Sequence, residues 1–120
     1  MDDRLIQNPA YGLPASIRNM NIIITEKLRE HLKNKKKKII SVEVASADHS
    51  DIEINEIFIR CVSEDFSEYL RTKKNYREKF TEDGISVLFA PVPMDFDETV
   101  EFDLIKHLFI NRIIYKGIKL

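Results

Sequence analysis

Between Leu13 and Lys38, the apolar residues Leu13, Ile17, Met20, Ile24, Leu28 and Leu32 recur at steps of four, three, four, four and four. At about 3.6 residues per turn these positions share one stripe, so the spacing predicts a single helix from Leu13 to about Asn34. Ile22 and Ile23 widen the stripe at its centre. Pro14 suits a first helical turn, where its missing N–H costs nothing, and Ser16 is a second candidate N-cap. The run Lys33, Lys35, Lys36, Lys37 and Lys38 follows the stripe. Cations there favour the negative end of the helix macrodipole. One stretch thus offers the chain's largest apolar face and its densest positive charge.

The remaining length bounds what that face can pack against. A chain of 120 residues is expected to form one domain. Residues 1–12 read as a polar N-terminal arm, with a turn signal at Asn8-Pro9, and 13–120 as a single α/β domain. The net charge of −1 supplies no bulk attraction to nucleic acid or to acidic partners. Cys61 is the only cysteine, which excludes an intramolecular disulfide and CxxC chemistry and fits a reducing, cytoplasmic setting. The N-terminal stretch lacks the apolar region of a signal peptide. No apolar run approaches the length of a membrane span, so a membrane is not an expected partner.

Beyond the lysines, Ile39 to Ala47 alternates as a strand with Ile40, Val42 and Val44 on one side and Ser41 and Glu43 on a wet side. Ile52 to Val62 is a second strand, joined to the first by a short polar turn as an antiparallel hairpin. Its apolar phase slips between Ile54 and Ile57, which predicts a β-bulge at Asn55 or Glu56. Ser63-Glu64-Asp65 starts a helix that carries Phe66, Tyr69, Leu70, Tyr76 and Phe80 at helical spacing and ends at Asp83-Gly84. Ile85 to Ala90 is short and apolar, as for a central strand buried on both faces. Leu104 to Lys116 is apolar on most sides and reads as a helix closed by Gly117, with a strand over Leu108 to Tyr115 as the competing assignment. The expected class is α+β, a single small domain in the order α-β-β-α-β-α, with a mixed sheet of three or slightly more strands packed by helices.

Chemistry-bearing motifs are sparse. With three glycines, no glycine-rich phosphate cradle can be built; GxGxxG, P-loop, GxSxG and HExxH motifs are absent, and no cofactor is expected. Asp48, His49 and Asp51, flanked by Glu43 and Glu53, and the Asp95, Asp97, Glu98 cluster offer oxygen ligands but lack the regular spacing of a cation loop. Cys61 falls in an apolar strand phase and reads as a small buried hydrophobe. Lys33, Lys35, Lys36, Lys37 and Lys38, with the second basic cluster Arg71, Lys73, Lys74 and Arg77, could neutralise phosphates, with Tyr69 and Tyr76 available for stacking. The acids of 95–103 are candidate counter-charges for the lysine run. Leu104, Ile105, Leu108, Phe109, Ile110, Ile113, Ile114 and Tyr115 exceed what one helix face hides, which predicts a subunit interface at Leu108, Phe109, Ile113, Ile114 and Tyr115.

The expected function is therefore a small protein-interaction or regulatory module, a homo-oligomer or complex subunit rather than an enzyme. The second reading is a nucleic-acid binder using the two basic clusters. The third is a metal-dependent hydrolase using Asp48, Asp51, Asp95 and Asp97.

Overall fold

Among the described residues there are seven strands, rather than three or slightly more, and they divide into two sheets. The computed structural model describes residues 13–49 and 52–120. In order the elements are α1 (Ala15–Arg18), β1 (Asn21–Ile24), α2 (Glu26–Asn34), β2 (Ile39–His49), β3 (Ile52–Cys61), α3 (Glu64–Thr72), β4 (Arg77–Phe80), β5 (Ser86–Phe89), β6 (Asp95–His107) and β7 (Ile110–Lys119). The first sheet runs β1-β6-β7, with β1 parallel and β7 antiparallel to β6. The second runs β3-β2-β5-β4, with β2 and β5 parallel and both outer pairings antiparallel. The α+β class holds, but the expected element order does not. The expected arm at 1–12 lies outside the described residues.

The long first helix is replaced by α1, β1 and α2. Ile22, Ile23 and Ile24 are consecutive β-branched residues, which lose rotamer freedom in a helix and pack well on a pleated sheet. They pair with Val100, Glu101 and Phe102 of β6, with Ile24 buried and Ile23 exposed as strand alternation requires. Thr25 then caps α2: its hydroxyl accepts from the Leu28 N–H at 3.4 Å and donates to Asp103 at 2.6 Å. Ile17, Met20, Ile24, Leu28 and Leu32 all remain buried. The apolar stripe was a true core signal, delivered by three elements instead of one.

The C-terminal half is also strand. Val100, Phe102 and Leu104 alternate inward along β6 and are fully buried, and the segment expected as a helix is the end of β6, a turn at Leu108 and Phe109, and β7. Gly117 does not close a helix; it makes a bulge possible. Phe96 pairs with Ile118, and Glu101 with Lys116, so residues 97–100 stand opposite Gly117 alone. Gly117 has φ +92°, and a Cβ placed there would lie 2.5 Å from the Thr99 carbonyl oxygen. The helix after Ser63 stops at Thr72, and Asn75, at φ +57°, turns the chain into β4. No bulge interrupts β2 and β3, whose register is continuous from Ile40–Cys61 to His49–Ile52.

The two sheets share a core. Ile40, Val42, Val87 and Phe89 from one, and Val100, Phe102, Leu104 and Ile118 from the other, join a single apolar cluster closed by Leu28 and Leu32 of α2. The rings of Phe89 and Phe96 meet edge-on at 5.4 Å across it. β5 is buried along its whole length, as its composition predicts. The side of β2 expected to be wet is instead covered. Ser41 and Glu43 are buried on the face where α3 packs Leu70 against Ile39, Val62 and Leu88. Ser41 donates to Glu43 at 2.6 Å, and Arg60 clasps both Glu43 carboxylate oxygens at 2.5 and 2.9 Å. At the far edge, the Lys79 ammonium donates to the carbonyls of Ile17, Arg18 and Met20 at 2.8, 2.8 and 2.5 Å, tying β4 to the turn after α1.

Because Gly117 meets both a steric and a conformational demand, Gly117→Ala is expected to cost about 3 kcal/mol in urea unfolding. Gly84→Ala, at φ +84° but with no atom within 4 Å of its Cβ, should cost clearly less. Equal losses would show that backbone strain alone, and not the approach to Thr99, makes glycine necessary.

Candidate functional site

Two surfaces gather the residues singled out in the sequence. The first is the end of α2. Lys35 N–H bonds the His31 carbonyl, Lys36 N–H bonds Lys33 at 3.1 Å, and Lys37 N–H reaches back to Leu32 at 2.9 Å. This is the Schellman pattern, and its left-handed position is occupied by Lys36 at φ +54°. The chain then enters β2, where the Lys38 carbonyl accepts from the Ser86 N–H. That sharp turn wraps Lys33, Lys36, Lys37 and Lys38 around a cavity of about 490 Å³, completed by Arg29, Leu32, Asp83 and Ile85. Lys35 is not part of its lining.

Charge in this cavity is one-sided. Asp83 is already engaged: Arg29 reaches it at 3.2 Å and the Thr81 hydroxyl donates to it at 2.6 Å. The Thr81 hydrogen bond holds the Asp83 carboxyl below its ordinary range; desolvation opposes it, and Asp83's own backbone N–H and the Arg29 charge add to the lowering. Among the described residues no ion pair engages Lys33, Lys36, Lys37 or Lys38. The acids of 95–103 are placed on β6 instead, where Asp103 binds Thr25.

The second basic cluster sits elsewhere. Lys38 adjoins the Ser86 end of β5, whereas Arg77 pairs with Phe89 at the other end, about 10 Å away at strand rise. α3 runs from the first end towards the second, so Lys73 and Lys74 follow Arg77 to the far end. The two clusters therefore do not form one face. Arg71 is committed to structure: it forks onto Glu78 at 3.1 and 2.7 Å and donates to Ser67 at 3.1 Å, while Ser86 also donates to Glu78. Lys74 stands over the Tyr69 ring at 5.8 Å.

The other surface is the β6–β7 hairpin. Beyond Phe102 it has no β1 partner, Leu104 is still fully buried, and from Ile105 to Arg112 it is an exposed two-stranded ribbon with His107 opposite Ile110. At its tip Leu108 is 86% exposed, Phe109 fully exposed and Ile110 69% exposed, and Leu108 adopts φ +56°. Lys106 and Arg112 flank the tip. Ile113, Ile114 and Tyr115, grouped with Leu108 and Phe109 in the sequence, lie further down β7 and are half-buried. With Arg112 they face Ile57, Phe58 and Ile59 of β3 across a cavity of about 380 Å³. The grouping thus divides into an exposed tip and a half-buried base. Arg29 and Ile85 were not singled out as site residues, since only the close of α2 onto β5 brings them to the first surface.

The remaining candidates lack a constellation. Among the described residues no three His, Cys, Asp or Glu side chains converge as a metal site, and Asp51 lies outside them. Cys61 is half-buried, and burial pushes its thiol up, away from thiolate reactivity. No described helix is long and apolar enough to cross a membrane. Comparison with protein-family models, characterised proteins and solved structures finds no match.

The depressed Asp83 carboxyl makes a pH prediction. A carboxyl with a folded pKa below its unfolded value of 3.8 adds stability above that value, which is lost as pH falls through the folded value. Urea midpoints taken from about pH 6 to about pH 2 should therefore fall, and less steeply for Asp83→Asn than for the parent chain. Parallel curves would mean that Asp83 does not contribute to acid sensitivity.

Proposed function

We propose that the chain is a small non-enzymatic protein-interaction module, acting as a homo-oligomer or complex subunit through the tip of its β6–β7 hairpin. One observation carries the reading: Leu108, Phe109 and Ile110 stand together in solvent at the end of an exposed ribbon. None of them contributes to the core cluster. Burying a side chain of this kind is worth about 1.5–3 kcal/mol, so three together supply a useful anchor. Leu108 adds a second cost in the unbound chain, because a left-handed backbone disfavours a branched aliphatic residue that glycine would replace without strain. A sequence shaped only for the stability of a monomer has no reason to keep either feature. The flanking Lys106 and Arg112 suit a partner surface whose apolar socket has an acidic rim.

The full chain is expected to sediment above monomer mass at low micromolar concentration, alone or with its partner. Phe109→Ser should shift it to the monomer while changing unfolding stability by less than about 0.5 kcal/mol, as for an exposed position. Leu108→Gly should also dissociate the assembly, yet hold or raise the melting temperature. If the parent is strictly monomeric and the hairpin variants match it in every association assay, the proposal is wrong.

A further inference from the structure

We infer that the cavity at the end of α2 binds the phosphate chain of a small organic phosphate of nucleotide size. Four lysines converge on it, and its one acid is already held by Arg29 and Thr81. Like charges brought together in a concave wall repel one another and raise the local concentration of anions. This convergence is more than a solvated helix end needs, since the macrodipole's terminal charge is only about half a unit.

Lys36 supplies the second, independent observation. It occupies the left-handed position of the Schellman turn, which glycine fills without strain, and it lines the cavity. Backbone strain retained beside a cavity marks a side chain kept for what it contacts rather than for the turn it makes. The lining also defines the ligand. Leu32 and Ile85 add an apolar wall beside the lysines, which suits an organic group attached to the phosphates. Lysine, with three donors on a flexible stem, suits several phosphate oxygens in sequence better than one fixed bidentate contact. The distant Lys73, Lys74 and Arg77 have no part in this site. It neither requires nor excludes the hairpin interaction, which lies on β6 and β7.

The test uses thermal unfolding of the full chain with ATP, tripolyphosphate or adenosine, each at about 1 mM, because a ligand of the folded state raises the melting temperature by mass action. ATP should raise it most, tripolyphosphate less, and adenosine not at all. Lys36→Gly should raise the unliganded melting temperature, because it relieves the turn, and weaken ATP binding about tenfold. The triple variant Lys33→Gln, Lys37→Gln, Lys38→Gln should abolish the response, and Lys73→Gln with Lys74→Gln should leave it intact. ATP and tripolyphosphate without effect, or an ATP response unchanged in Lys36→Gly and in the triple variant, would overturn the assignment. Equal shifts from ATP and tripolyphosphate would overturn its organic part.

Discussion

The burial of β6 against the four-stranded sheet is the contact on which the rest of the molecule depends. Val100, Phe102 and Leu104 are fully removed from solvent, and Ile40, Val42, Val87 and Phe89 are buried in the same cluster. β6 is also the central strand of its own sheet, so it carries β1 on one side and β7 on the other. Through β1 it positions Thr25, whose hydroxyl caps α2 and binds Asp103. Through β7 it carries the hairpin to its exposed tip. Both candidate surfaces are therefore outgrowths of one strand's packing: the lysine turn closes the helix that β1 leads into, and the hairpin is the extension of β6 beyond its last β1 partner.

Three left-handed positions show how the fold uses backbone conformation. At 117 the chain has glycine, and the approach of Thr99 leaves no room for anything larger. At 36 and 108 it adopts comparable left-handed conformations with lysine and leucine. The first is a packing necessity. The other two are strained for no gain in packing, and each lies at an exposed, chemically distinctive surface. This contrast, more than exposure or charge alone, separates the two surfaces from ordinary solvent-facing positions.

The polar face under α3 is the reverse case. Glu43, Glu78, Arg60 and Arg71 resemble a catalytic inventory when counted, but each carboxylate is clasped by a guanidinium and further satisfied by a serine. Among the described residues no buried polar side-chain atom lacks a hydrogen-bond partner. Such a network specifies how α3 sits on the sheet.

The sequence by itself determined the α+β class, the β2–β3 hairpin, the buried strand at 85–90, the serine cap of α3 and the burial of Ile17, Met20, Ile24, Leu28 and Leu32, though not the exposure of Ile23. These follow from local periodicity, capping chemistry and turn residues. Tertiary structure decided the rest. Ile17, Met20, Ile24, Leu28 and Leu32 satisfy a helical period, yet a four-residue strand within a helical stretch preserves nearly the same buried set, so periodicity could not tell one helix from α1, β1 and α2. Only the parallel pairing of Ile22–Ile24 with β6, a partner nearly eighty residues away, settles it. The isoleucines of 110–114 were equally ambiguous until the hairpin formed. The lysine run was legible as charge, but whether it met the acids of 95–103 depended on where β6 docks. Non-local strand pairing placed those acids elsewhere and left the lysines around an open cavity.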